Sequence, residues 1–151
     1  MAEELSINHI LLIVDGTDTG VAAARYAVRL AALHGARLTA LAVVDTAVLK
    51  SLLQASVLVE AEMEEFDAEL GSSAGKNLAY AEQLAKRAGV EVATSLKKGS
   101  AHAVVVDEAH DLEPDLLVMG SFTTSMIKRD LNARTRRLIV DEVDCPILLV
   151  R

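Results

Sequence analysis

Two short apolar runs of the sequence end on residues that could take part in binding a small molecule. Residues 10–14 are followed by Asp15, and residues 116–119 are followed by Gly120. Short, continuous apolar runs are typical of strands that are buried on both faces of a parallel sheet. In such sheets, ligands lie outside the carboxyl ends of the strands. We therefore predict that the loop opening at Gly120 forms one wall of any small-molecule site and that Asp15 lies beside the same cleft.

Apolar strands alternate with helices along the whole chain, which predicts βαβ units and a parallel sheet with helices on both faces. Strands are predicted at residues 10–14, 37–44, 90–96, 116–119 and 147–150. Helices are predicted at residues 18–34, from residue 46 onwards, at 60–69, at 76–88, from residue 101 to about 109, and at 132–142. The sequence contains no internal repeat and no long linker, so we expect a single domain over residues 1–151.

Two glycine-containing stretches are predicted to interrupt these elements. Residues 71–75 contain two glycines and two serines between helical patterns, which predicts a kink or a break. Residues 97–99, Lys-Lys-Gly, are predicted to form the turn after the third strand.

Composition argues against several classes of function. Aromatic residues make up only 3% of the chain, so the stacking platforms that bind single-stranded nucleic acids are lacking. The formal net charge of −7 disfavours binding to a phosphate backbone. No apolar run approaches the length of a membrane span, and the first residues are acidic where a signal peptide would be basic. We therefore expect a cytoplasmic protein with neither a nucleic-acid nor a membrane partner.

The residue types that usually support catalysis or metal binding are sparse. Cys145 is the only cysteine, which rules out an intrachain disulfide and a thiolate metal cluster. His102 and His110 lie about two helical turns apart with no suitable third ligand between them. We expect all four histidines to lie on the surface or in an interface. No Ser-His-Asp order or carboxylate pair stands out, so we predict no enzymatic activity and no metal site.

Four stretches in order resemble the universal stress protein family over nearly the whole chain. They are residues 10–17, ending in Asp15-Gly16-Thr17; residues 41–45; residues 99–109 followed by 115–121, which end in Gly120-Ser121; and residues 145–151. The resemblance implies a doubly wound five-stranded parallel sheet in the strand order 3-2-1-4-5. It also implies a homodimer.

The family divides by whether its members bind ATP. ATP-binding members carry a glycine at the end of strand four, a second glycine three positions later, then nine residues and Gly-Ser or Gly-Thr. Glycines let backbone N–H groups approach phosphate oxygens, and a hydroxyl at a helix N-terminus favours an anion. This chain has Gly120, but Thr123, Ala133 and Arg134 occupy the next three positions, and Thr135 replaces the usual valine. The phosphate half of the motif is thus mostly lost, and Arg134 would either block a phosphate or neutralise it.

The nucleoside half of the motif is better matched. Asp15, followed by Gly16 and Thr17, matches an aspartate that contacts the nucleoside in ATP-binding relatives. Asp15 could instead cap its own turn or the helix start. Val44 matches a position whose backbone meets adenine, although a valine there is also ordinary strand core.

Five basic residues cluster after Gly120 in an otherwise acidic chain. They form either an anion site next to the Gly120 loop or a solvated helix face paired with Asp130, Asp141 and Glu142. The basic residues are Lys128, Arg129, Arg134, Arg136 and Arg137.

These observations support one main functional hypothesis and two alternatives. The main one is a non-catalytic, dimeric regulatory or interaction module with a degenerate nucleotide cleft. The first alternative is a genuine ATP- or AMP-binding member in which Thr123, Arg134 and Thr135 replace the usual phosphate contacts. The second is an unrelated doubly wound binder such as a response-regulator receiver, but the acidic pair and the lysine that a receiver needs are missing.

The last predicted strand, Ile147–Val150, indicates how a dimer would form. In the strand order 3-2-1-4-5 it lies at an edge of the sheet, and its sequence Ile-Leu-Leu-Val carries no charge. An apolar edge strand favours self-association unless it is covered or paired. We therefore predict that two copies pair through this strand across a two-fold axis.

Overall fold

The computed structural model of the protein describes residues 5–46, 50, 53–55, 60–121 and 129–151. The five strands are β1 (His9–Val14), β2 (Arg37–Asp45), β3 (Val92–Gly99), β4 (Leu116–Gly120) and β5 (Ile147–Val150). The described helices are α1 (Asp18–His34), α2 (Glu60–Arg87), α3 (Ala101–Leu112) and α4 (Arg129–Glu142). The strands form one sheet in the order β3-β2-β1-β4-β5, and each neighbouring pair is parallel. The predicted fold is therefore confirmed. Most of the helix predicted from residue 46 lies outside the described residues.

The central strand β1 separates two hydrophobic cores. All six of its residues are buried, as expected for a strand covered on both faces. Ile10, Leu12 and Val14 pack in the core that includes buried residues of α1 and α2. Leu11 and Ile13 pack in the core that includes buried residues of α3 and α4. The carboxyl end of β1 thus lies between two helical layers, where a ligand cleft was predicted.

Helix α1 begins and ends where its sequence predicts. Thr17 is the N-cap, and its Oγ1 atom accepts a hydrogen bond from the N–H of Gly20 at 3.0 Å. Gly35 ends the helix in the left-handed conformation, with φ of 63°, and its N–H donates to the carbonyl of Ala31. Small buried residues at helical spacing, including Ala23, Ala27 and Ala31, let this helix lie close against the sheet.

Helix α2 is continuous through residues 71–75, so the predicted break there is wrong. The helix runs for 28 residues. Ala74, Leu78, Ala81 and Ala85 are buried at spacings of three and four, and they carry the inward stripe through the glycine-rich stretch. Packing against the sheet thus outweighs the low helix propensity of the two glycines.

Replacing these two helical glycines is expected to stabilise the protein. A Cβ atom at Gly71 or Gly75 would meet nothing within 4 Å. Glycine in a helix interior costs about 0.5–1 kcal/mol relative to alanine, so Gly71→Ala/Gly75→Ala should raise the free energy of unfolding by about 1–2 kcal/mol in urea denaturation. Gly35→Ala is the matched control: it also has free space around its Cβ position, but its φ of 63° should make the change destabilising. A loss of stability in the double variant would contradict a continuous helix.

Strand β3 differs from the predicted residues 90–96, because it begins at Val92 and residues 97–99 continue the strand instead of turning. Lys97, Lys98 and Gly99 pair in register with the last three residues of β2. Lys98 donates to Oδ2 of Asp67 at 2.8 Å, and Lys97 forms an ion pair with the buried Glu108 of α3. Lysines on an edge strand also discourage pairing with another chain.

His9 contradicts the prediction that every histidine lies on the surface or in an interface. Its side chain is only 6% exposed, and its Nε2 lies 2.7 Å from Oγ1 of Thr39. Burial lowers the pKa of His9, and the nearby charge of Arg37 lowers it further, whereas Asp115 opposes the shift. The fold therefore favours the neutral form of His9.

The lowered pKa of His9 predicts that stability falls on acidification. Below the unfolded-state pKa of about 6.5, the unfolded chain binds a proton that the folded chain does not, so the free energy of unfolding decreases as pH falls. This single group can contribute a slope of up to about 1.4 kcal/mol per pH unit until its folded-state pKa is reached. Urea denaturation between pH 7.5 and 5.5 should show a smaller slope for His9→Leu than for the wild type, with His34→Leu, which changes an exposed histidine, as the control substitution. Equal slopes for wild type and His9→Leu would contradict a buried neutral histidine.

Candidate functional site

Asp15 follows β1 and uses its two carboxylate oxygens differently. Oδ1 accepts hydrogen bonds from the backbone N–H of Thr17, at 2.8 Å, and from the Thr17 hydroxyl. Oδ2 is buried and has no hydrogen-bond partner among the described residues. Burial raises the pKa of Asp15, and the bonds from Thr17 partly oppose this. The turn role predicted for Asp15 is thus fulfilled by one oxygen, while the other is an acceptor that a ligand could satisfy.

A pocket of about 270 Å³ adjoins Asp15 between the first turns of α1 and the middle of α2. This volume is just below the range of about 300–1,000 Å³ for typical small-molecule sites, so it suits a small ligand or one portion of a larger one. Two of the predicted site residues, Asp15 and Gly16, line it. The other lining residues are Val14, Gly20, Val21, Ala24, Asn77 and Tyr80.

Two glycines bring the end of β4, the first turn of α1 and Asp15 into close contact. A Cβ atom at Gly120 would lie 2.7 Å from the backbone nitrogen of Gly20 and 2.7 Å from the carbonyl carbon of Thr19. A Cβ atom at Gly20 would lie 2.6 Å from Cγ of Asp15. All three distances are too short for a side chain. Gly120 therefore has a packing role that requires glycine whether or not a phosphate binds nearby.

The residues that line this pocket do not include four others of the predicted site: Val44, Ala133, Arg134 and Thr135. Thr123 is outside the described residues. Ala133 and Thr135 are half-buried and Arg134 is exposed on α4, which covers the opposite face of the sheet from α1 and α2. Val44 is buried at 2% exposure near the end of β2, as strand core requires. The structure thus places Asp15 and Gly16 at one pocket and leaves Arg134 exposed on α4.

The basic cluster divides into exposed and inward-facing members. Arg134 and Arg137 are exposed, as on the predicted solvated face. Arg136 is half-buried, and its Nη1 donates to the backbone carbonyl of Ser121 at 2.6 Å, which ties α4 to the residue after Gly120. Lys128 and the side chains of Arg129 and Asp130 lie outside the described residues.

The inward orientation of Arg136 was not predicted from the sequence, and neither were several residues that build the site. Arg136 shares the helical spacing of Ile139, which packs inward, so the periodicity of α4 contained a signal for its orientation. Gly20, a glycine in the first turn of a helix, also indicated a close backbone approach. Asn77 and Tyr80 belong to a helix about 60 residues away from Asp15, and no local pattern indicates their position.

Metal and membrane features are absent from the described part of the chain. None of its His, Cys, Asp and Glu side chains form a group of three that could hold a metal ion. None of the helices it contains is long and apolar enough to cross a membrane.

Comparison with known proteins gives consistent matches along the chain. The model of the universal stress protein family matches residues 6–151. Universal stress protein MJ0531 of Methanocaldococcus jannaschii is 25% identical over 142 residues, which cover 94% of this chain and 81% of that protein. The solved structure of universal stress protein UspA from Lactobacillus plantarum is 27% identical with a TM-score of 0.73, covering 98% of this chain and 100% of that one.

Two solved structures of more distant relatives contain nucleotides. A universal stress protein in complex with cAMP is 19% identical with a TM-score of 0.66, covering 97% of this chain and 98% of that chain. A universal stress protein from Archaeoglobus fulgidus in complex with dAMP is 14% identical with a TM-score of 0.64, covering 98% of this chain and 100% of that chain. At these identities the two structures support the shared fold alone. With the family model matching nearly its full length, this chain belongs to the universal stress protein family.

Proposed function

We propose that this protein is a non-catalytic regulatory module whose cleft binds the nucleoside part of an adenine nucleotide and gains little affinity from the second and third phosphates. In this proposal the nucleotide cleft is degenerate in its phosphate half only. A genuine ATP-binding site with unusual phosphate contacts is the alternative to be distinguished.

The observation that carries this proposal is the second carboxylate oxygen of Asp15. Oδ2 is buried beside the pocket and accepts no hydrogen bond from the described residues. A buried polar atom without a partner costs about 1–3 kcal/mol. A hydroxyl or N–H donor on a bound nucleoside would satisfy Oδ2, so the fold holds an acceptor in place for such a ligand.

The replaced motif residues support weak binding of the outer phosphates. Ala133 stands where ATP-binding relatives have glycine, and Arg134 stands where they have a small hydroxyl residue. Arg134 is exposed on α4. The ligands found in the two more distant relatives, cAMP and dAMP, each carry a single phosphate, which agrees with this proposal.

Titration calorimetry with AMP tests the role assigned to Asp15. Asp15→Asn keeps an oxygen to accept the two bonds from Thr17 but puts an amide in place of the acceptor Oδ2. We expect this variant to bind AMP at least about tenfold more weakly than the wild type, because the amide group cannot accept a hydrogen bond from the ligand. Asp18→Asn, which changes an exposed carboxylate three residues away, is the matched control and should bind as the wild type does. Equal affinity for AMP in wild type and Asp15→Asn would refute the proposal.

The proposed module is a homodimer that pairs through β5. This strand lies at the edge of the sheet, with β4 as its neighbour. Its first three residues, Ile147, Leu148 and Leu149, are half-buried apolar side chains in the single chain. Pairing two copies would cover them and the free edge together.

A further inference from the structure

A second, larger cavity lies at the amino ends of the strands, whereas Asp15 lies at the carboxyl end of β1. Its volume is about 970 Å³, near the upper end of the range for small-molecule sites. Its walls are the segment before β1, the last turns of α3 with the following loop, and the loop between α4 and β5. These elements meet at the amino ends of β1, β4 and β5, so the cavity is separate from the nucleotide cleft.

The floor of this cavity is apolar. Ala109 is buried, and the other floor residues are half-buried, so part of their apolar surface stays open to the cavity. Leu5 at the rim is fully exposed, at 101%. The half-buried floor residues are Ile7, Val106, Leu116, Val143 and Cys145. An apolar floor with an exposed leucine beside it favours an apolar group on the ligand.

The rim of the same cavity is strongly acidic. Helices α3 and α4 both end there, and helix C-termini add negative partial charge. Neither lysine nor arginine occurs among its lining residues. Asp115 is already engaged, because its Oδ2 accepts the backbone N–H groups of Asn8 and His9. The other four carboxylates are exposed, and they belong to Asp107, Glu113, Glu142 and Asp144.

Charge and shape together narrow the possible occupants. The rim disfavours an anion, and the described carboxylates include no group of three that could hold a metal ion. The residues before Leu5 include Glu3 and Glu4, whose negative charge matches that of the rim, so the rim disfavours this segment as an occupant too. An occupant with apolar groups for the floor and positive charges for the rim satisfies both observations, as interfaces with an apolar centre and a polar rim commonly do.

We propose that this cavity docks a basic, apolar peptide segment of a partner protein. Leucine-like side chains of the segment cover the floor formed by Ala109, Val143 and Cys145. Its lysine or arginine side chains face Glu113, Glu142 and Asp144 at the rim. The proposal does not depend on nucleotide binding, because the cavity lies at the amino ends of the strands and the nucleotide cleft lies at their carboxyl ends.

A labelled peptide and charge-matched variants test this proposal. The probe is a fluorescein-labelled peptide, Gly-Leu-Arg-Leu-Leu-Arg-Leu-Gly, titrated with the full-length protein while fluorescence anisotropy is measured. Glu142→Gln/Asp144→Asn should weaken binding about fivefold, because two exposed rim charges are lost. Glu64→Gln/Glu65→Gln removes the same charge from two exposed residues of α2, away from the cavity, and should leave the affinity unchanged. Equal weakening by both double variants, or no binding to the wild type, would overturn the proposal.

Cys145 provides a second readout that reports on the cavity itself. It is the only cysteine of the chain, it is half-buried, and it lines the cavity floor. Burial raises the pKa of its thiol, so its alkylation by iodoacetamide should be slow but measurable by mass spectrometry. Saturating peptide should slow this alkylation at least about fivefold, whereas the same peptide with glutamate in place of arginine should not. Unchanged alkylation at saturating peptide would show that the peptide binds elsewhere and would overturn the proposal.

Discussion

Gly20→Ala should destabilise the protein by about 3 kcal/mol, the upper end of the usual cost of overpacking a core. The new Cβ atom would lie 2.6 Å from Cγ of Asp15 and 2.8 Å from its backbone carbonyl oxygen. Asp15 would have to move, and its hydrogen bonds with Thr17 would be disrupted. Because this turn also forms the pocket wall, the variant should lose AMP binding along with stability.

Urea denaturation measures this effect, and Gly75→Ala is the matched control. Both residues are helical glycines, but only Gly20 has neighbours inside the distance that a Cβ atom needs. The two substitutions should therefore change the free energy of unfolding in opposite directions. Gly120→Ala should behave like Gly20→Ala, because its Cβ atom would meet the backbone of Thr19 and Gly20. A Gly20→Ala variant as stable as the wild type would contradict the close contact between α1 and Asp15.

Leu149→Pro should convert the proposed dimer into a monomer without unfolding the sheet. The N–H of Leu117 donates to the carbonyl of Pro146 at 2.9 Å, so Pro146 faces β4. Backbone groups of alternate residues face the same neighbour in a parallel ladder, which leaves the N–H of Leu149 on the free side of β5. Proline there removes a donor that only a partner strand would use.

Sedimentation at micromolar concentration distinguishes the two assemblies. We expect a dimer for the wild type and a folded monomer for Leu149→Pro. Leu148→Pro is the control, because the backbone N–H of Leu148 faces β4. Removing this N–H should disrupt the pairing of β5 with β4 within one chain. A wild-type monomer in which β5 is still folded would show that the edge is protected in another way.

The sequence was most informative where a structural cause is local. The helix predicted at residues 18–34 has these same bounds in the structure, because the N-cap at Thr17 and the left-handed conformation of Gly35 depend on one or two residues. Prediction failed where distant packing decides the outcome. The buried stripe through Ala74 keeps α2 continuous across two glycines, and pairing with β2 extends β3 through Lys97 and Lys98.

The same contrast between local and distant causes applies to the candidate site. The turn role of Asp15 was predictable because its partner, Thr17, is two residues away. The burial of its Oδ2 atom depends on the surrounding fold, and the pocket wall formed by Asn77 and Tyr80 depends on how α2 crosses α1. The contact of Arg136 with Ser121 likewise joins two elements that are separated in the sequence. Local chemistry could therefore be predicted, whereas the shape of the site could not.

The central claim is that the cleft has lost only the phosphate-binding half of its motif. The most direct test compares the binding of AMP and of Mg-ATP by titration calorimetry. The wild type should bind the two nucleotides with similar, weak affinity. The variant Thr123→Gly/Ala133→Gly/Arg134→Ser restores the glycines and the small hydroxyl residue, and each restored contact contributes about 1–3 kcal/mol. It should bind Mg-ATP at least about tenfold more tightly than the wild type does, with AMP affinity unchanged. The account would be contradicted if the wild type bound Mg-ATP with a micromolar dissociation constant and the triple variant bound it more weakly.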